Sequence, residues 1–256
     1  MICAGIDAGS RALKVVLLDT DAMSVVAEGI ENQGIDQEAL ARAVFERTLE
    51  AAGIGPDRVG KVVATGYGRN RVGFADTTIT EITCHACGVR FVAPDAMTII
   101  EVGGQDSKLI RLDSKGLVRD FAMNDRCAAG TGRFLEVVAA RLNVELATLG
   151  ALAERSLNPA TISSTCVVFA ETEIVGLLAA GVPAEDIIAG VQSSISRRVV
   201  AMAGRGVETP VVFTGGVALI PGMAEAMSRA LDRSVQVAPN PQMTGALGAA
   251  VLASRL

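Results

Sequence analysis

The chain has 256 residues, half of them hydrophobic but only 3% aromatic, and its formal net charge is −5. That length supports one large domain or two modest ones around a substantial core. The acidic balance and the scarcity of aromatic side chains exclude a nucleic-acid platform built on cationic patches and base stacking. No apolar run approaches the roughly 18 residues of a spanning helix, and the N-terminus lacks a charged-then-apolar leader pattern. The expectation is a soluble, cytoplasmic protein with no membrane partner.

In chain order, ICAGIDAGS reads as an apolar strand running into a glycine turn, LKVVLLD as the strand leaving it, and SVVAEGI as a third strand. Helical periodicity follows from Asp36 to Gly53, with Asp36 as N-cap and Gly53 as terminator. KVVATGYG is a buried strand ending in a turn, and Thr80 to Phe91 reads as a short helix. TIIEVGGQDSKLIRLD then repeats the opening design, and LVRDFAMN supplies another strand. From Cys127 to about Gly204 the pattern is mostly helical, interrupted by NPATISSTCVVF. TPVVFTGGVALIPGM is a strand, a glycine pair and a helix start, and SVQVAPNPQMTGALGAAVLASRL closes with a short strand, a loop and a small-residue helix.

Three turns after apolar strands carry glycine: Gly9-Ser10, Gly103-Gly104 and Gly215-Gly216. Glycine there lets backbone N–H groups approach phosphate oxygens closely. Two of the turns also hold an acid, Asp7 and Asp106, of the type that binds magnesium through oxygen or water. One such turn alone is more often an ordinary tight turn than a phosphate cradle. None fits the P-loop or the dinucleotide fingerprint.

The three together, in this order and spacing, resemble the two phosphate motifs and the adenosine motif of the actin, Hsp70 and sugar-kinase superfamily of ATPases. Within it, GIDAGSRALKVVLLD, ATGYGRNRV, EITCHACG, EVGGQDSK, NDRCAAGTGRFLE, CVVFAETE and FTGGVA look like the activator ATPases of 2-hydroxyacyl-CoA dehydratases, relatives of the ATPase subunits of benzoyl-CoA reductase. The resemblance spans nearly the whole chain. It implies an α/β actin-like fold of two related subdomains with mixed sheets flanked by helices. The first subdomain would take 1-95 plus 243-256, and the second 96-242.

By the same resemblance, Asp7 and Asp106 organise magnesium and the attacking water, and Gly9, Ser10 and Lys14 contact phosphates of ATP or ADP. Gly103, Gly104 and Gln105 form the opposing turn, while Gly215 and Gly216 lie against ribose and adenine. Family proteins are homodimers sharing one 4Fe–4S cluster, loaded by ferredoxin or flavodoxin. They use ATP to deliver one low-potential electron to an iron–sulfur dehydratase or reductase. Partners of the benzoyl-CoA reductase or double-cluster type are the alternative, and a small-molecule kinase of the same fold is a further one. Arg11 and Ala12 stand where the family tends to carry hydroxyl residues.

Of the five cysteines, two per chain would give a dimer the four thiolates that a 4Fe–4S cluster needs, and the resemblance selects Cys127 and Cys166. Both precede sequence that reads as helix start or buried core. Without the resemblance each reads as a small buried hydrophobe. CHAC, at Cys84 to Cys87, suggests zinc or redox chemistry, yet it has no matching second half and His85 is the chain's one histidine. Cys84, His85 and Cys87 are therefore assigned a structural role, and Cys3 is assigned to the core.

Overall fold

Each of the two glycine hairpins founds a five-stranded mixed sheet. The structure, a computed structural model, describes residues 1–204 and 206–256. In the first sheet β1 (Ile2–Ala8) pairs antiparallel with β2 (Ala12–Asp19), which pairs with β3 (Ser24–Asn32). After α1 (Gln37–Ala51), β4 (Val59–Thr65) joins β1 in parallel, and the two-residue β5 (Thr77–Thr78) extends the edge. The order is β3-β2-β1-β4-β5. β1 and β2 are continuous apolar runs because both of their faces are covered. Asp36 caps α1 as its position predicts, its carboxylate accepting from the Ala39 N–H at 3.0 Å. Helix α2 (Glu81–Val92) follows, capped by Thr80.

The second sheet contains β6 (Thr98–Val102), β7 (Ser107–Leu112) and β8 (Val118–Asn124). Helices α3 (Gly132–Leu142), α4 (Leu149–Ala153), α5 (Val167–Ala179) and α6 (Ala184–Ala201) come next. Then β9 (Val211–Thr214) returns parallel to β6, and α7 (Met223–Leu231) leads to β10 (Val235–Val237). The order is β10-β9-β6-β7-β8. Ile100, Val102, Phe134, Ile174, Ile195 and Phe213 lie in one buried cluster that joins this sheet to its helices.

The chain ends in α8 (Thr244–Ala253), which packs on β1 and α2. Small residues make that contact possible. A Cβ on Gly88 would come 1.9 Å from the Thr244 carbonyl oxygen, and one on Gly248 would come 1.8 Å from that of Cys84. Residues group into two compact units, Met1–Asp95 with Leu112–Val118 and Ala238–Leu256, and Ala96–Arg111 with Arg119–Val237. Among the described residues no helix is long and apolar enough to cross a membrane.

The interruption expected over NPATISSTCVVF is shorter than its composition suggests, because Val167, Val168 and Phe169 already belong to α5. Two β-branched valines and an aromatic residue resemble a strand, and the helix forms despite them.

Candidate functional site

In the first hairpin, Asp7 sits near the end of β1, in register with Lys14 on β2. Lys14 Nζ donates to Asp7 Oδ2 at 2.9 Å, with both side chains largely buried. Glycines wall the carboxylate. A Cβ on Gly66, whose φ is 91°, would come 2.5 Å from Asp7 Oδ1, and one on Gly245 would come 3.1 Å from Oδ2. The turn carrying Gly9 and Ser10 is held by Gln33, whose Nε2 donates to the Gly9 carbonyl at 2.9 Å. A carboxylate paired with a lysine whose Nζ lies 3.0 Å from where a Cβ on Gly9 would stand is chemistry suited to magnesium and phosphate. Arg11, in the same turn, is exposed.

The second hairpin repeats the device with one addition. Glu101 on β6 is in register with Lys108 on β7. Lys108, only 2% exposed, donates to Glu101 Oε2 at 2.9 Å and to Asp106 Oδ2 at 2.7 Å. By register the counterpart of Asp7 is Glu101, and Asp106 lies on the other side of the same ammonium. The sequence carried a signal for Glu101: in both hairpins an acid precedes a lysine by seven residues. Gly215, buried with φ 90°, follows β9; a Cβ there would meet the Val102 carbonyl oxygen at 2.3 Å and Glu101 Oε1 at 2.7 Å. Gly216 is exposed, with open space where a side chain would stand. Gln105 is exposed at the tip of the turn.

The turn is also tied to the segment after β8. The N–H groups of Gly132 and Arg133, the first residues of α3, donate to the carbonyls of Gly103 and Gly104, each at 2.9 Å. Helix-start donors usually meet a side chain or water; here two of them meet a glycine turn.

Cys127 lies five residues before α3. It is the N-cap of a three-residue 3₁₀ turn (Ala128–Gly130), while Thr131 caps α3 itself, so the helical run that the sequence suggests from Cys127 begins at Gly132 instead. The Asn124 side chain clamps Cys127, accepting from its N–H at 3.0 Å and donating to its carbonyl at 2.7 Å. Cys127 Sγ points to the Thr165 carbonyl oxygen at 3.8 Å, which brings it to the residue next to Cys166. Cys166 is the N-cap of α5 and is exposed, as is Cys127. Val168 and Phe169, just beyond it, are exposed as well.

The other cysteines differ. Cys3 and Cys84 are fully buried, and burial pushes the Cys84 thiol up to about 12. Cys87 is half-buried and also raised by burial. His85 is buried against Thr244, with Nδ1 3.1 Å from the hydroxyl. Among the described residues no three His, Cys, Asp or Glu side chains converge. The two exposed thiols offer soft donor atoms of the kind that bind a soft metal.

Known proteins resemble the chain over nearly all of its length. The BadF/BadG/BcrA/BcrD ATPase family matches residues 4–253. The activator of lactoyl-CoA dehydratase from Anaerotignum propionicum is 47% identical over 254 residues, covering 99% of this chain and 97% of that protein. The activator of the 2-hydroxyisocaproyl-CoA dehydratase from Clostridium difficile, solved with bound ADPNP, has a TM-score of 0.94 at 42% identity, covering 100% of this chain and 95% of that one. Component A of the Acidaminococcus fermentans (R)-2-hydroxyglutaryl-CoA dehydratase has a TM-score of 0.95 at 41% identity, covering 100% and 98%. The two mixed sheets flanked by helices are the actin-like ATPase fold.

Proposed function

Because the chain belongs to the BadF/BadG/BcrA/BcrD ATPase family, we propose that it is an ATP-hydrolysing activator that passes one low-potential electron to an iron–sulfur dehydratase of 2-hydroxyacyl-CoA substrates. The single observation that carries this reading beyond ATP hydrolysis is the pair of exposed cysteines, Cys127 and the Cys166 loop, braced against each other through Thr165.

Cys127 and Cys166 from two copies would hold a 4Fe–4S cluster, four thiolates in all. Bound there, such a cluster supplies one-electron chemistry at low potential. The exposed Val168 and Phe169 beside Cys166 are the apolar surface a second copy would cover. Ferredoxin or flavodoxin is the donor in this reading, and the protein works in an anaerobic cytoplasm.

The nucleotide side rests on the hairpins. Asp7, with Lys14 beside it, holds magnesium and phosphate together with Gly9 and Ser10. Asp106 orients the attacking water at the turn of Gly103, Gly104 and Gln105, while Gly215 and Gly216 receive the nucleoside. Coupling runs through the bonds from Gly132 and Arg133 to the carbonyls of Gly103 and Gly104. A shift of that turn pulls directly on the start of α3, and Cys127 is five residues upstream.

The test is anaerobic purification followed by mixing with an iron–sulfur dehydratase. The expected result is brown protein with about four irons per dimer and reduction of the dehydratase only when ATP is hydrolysed. Colourless, iron-free protein that hydrolyses ATP without reducing any partner would sink the reading in favour of a kinase-like enzyme.

A further inference from the structure

The segment that delivers Cys166 is not held by its own backbone. Residues 159–164 belong to no helix or strand, and Ser163 and Thr165 are exposed. What fixes the segment is a carboxylate on the helix that follows it. Glu173, in the second turn of α5, accepts from the Ser163 N–H at 2.9 Å and its hydroxyl at 2.7 Å through one oxygen. It accepts from the Ser164 N–H at 2.9 Å through the other. From α6, Arg198 Nη2 donates to the Ser164 carbonyl at 2.6 Å. The next residue, Thr165, offers its carbonyl to Cys127 Sγ. Glu173 and Arg198 therefore hold the two residues that precede the contact between the cysteine segments.

We infer that Glu173 is a positioning residue for Cys166: its carboxylate folds the 163–165 segment back along α5 and so presents the thiol beside Cys127 for the shared metal group. This rests on the cluster reading above. Burial alone would raise the Glu173 carboxyl, but the hydrogen bonds from Ser163 and Ser164 outweigh it and hold the group down at about 2, so the brace is charged at neutral pH. A charged acceptor taking two backbone amides is a stronger tie than a neutral one. Helix α5 thus carries both the ligand, at its N-cap, and the brace that aims it.

The experiment compares wild type, Glu173→Ala and Glu173→Gln in two measurements. The first is hydrogen exchange at the Ser163 and Ser164 amides of iron-free protein. The second is the rate at which a ferrous chelator strips iron from reconstituted protein. In Glu173→Ala both amides should exchange about tenfold faster and iron should be lost about tenfold faster, with the melting transition retained. Glutamine keeps one acceptor oxygen, so Glu173→Gln should release one of the two amides and lose iron at an intermediate rate. That variant decides the matter if the alanine protein does not fold. Unchanged exchange at both serines in a folded variant overturns the brace. Faster exchange with wild-type iron retention overturns the positioning role. Wild-type protein that takes up no iron overturns the cluster reading itself, and the positioning role falls with it.

Discussion

The two hairpins use the same device and differ in what it is fastened to. In each, an acid on the first strand faces a lysine seven residues later across the register. In the first, one carboxylate meets a lysine with 16% of its side chain exposed. In the second, a lysine buried to 2% serves two carboxylates, and the turn carbonyls are bonded to the start of α3. The first hairpin is tied instead to the chain leaving β3, through Gln33. The same hairpin thus carries one acid beside its lysine in one unit, and two acids plus a link to a helix start in the other.

The two hairpins should differ most when their lysines are replaced. Lys108→Met leaves Glu101 and Asp106 without their cation and should cost about 3–5 kcal/mol, whereas Lys14→Met strips one carboxylate and should cost about 2 kcal/mol. Urea unfolding midpoints of the two variants measure the gap, and equal losses would remove the distinction. In the first unit, Gly248→Val drives a side chain into the Cys84 carbonyl and should cost about 3 kcal/mol, read by calorimetry.

A thiol contrast sharpens the same division. At pH 8 a group with a pKa of about 12 is thiolate in about one part in ten thousand. Iodoacetamide should therefore label the exposed Cys127 and Cys166 at least about a hundredfold faster than buried Cys84, as peptide mapping would show. Asn124→Ala, which frees the Cys127 N–H and leaves its carbonyl only a 3.5 Å bond from the Gly130 N–H, should cost about 1 kcal/mol and register chiefly as faster amide exchange at Cys127.

The smallest effect concerns acid. The Glu173 carboxyl lies below its ordinary value of 4.5, at about 2. A depressed carboxyl contributes order that is fully present above the unfolded value and is lost as pH falls through the folded one. Amide shifts of Ser163 and Ser164 should hold down to about pH 4 and move as pH drops toward 2, followed by NMR titration.

Much of this was legible in the sequence because it is local. Alternation of apolar strands and glycine turns located both hairpins, and Asp36 marked the start of α1. The counterpart role of Glu101 is visible only as an acid seven residues before a lysine, a spacing that gains meaning once the register of β6 and β7 sets the two face to face. Cys127 was read at the start of a helix because the run from Phe134 onward is apolar and periodic. The intervening 3₁₀ turn, and Thr131 as the real cap, obey no strong periodic pattern. Glu173 reads as an ordinary helical surface acid, and only the folded-back serines give it a task.

The interleaved order of the units also has a consequence for synthesis. Strand β1 is made well before α8, the helix that covers one of its faces. On the face turned to that helix, Cys3 is entirely buried against Ala249 and Ala253, and Gly5 has no room for even a methyl group beneath it. Most of the second unit emerges from the ribosome in between. The nascent chain must therefore carry one uncovered apolar strand face until α8 has been made, and in that interval a chaperone would matter most.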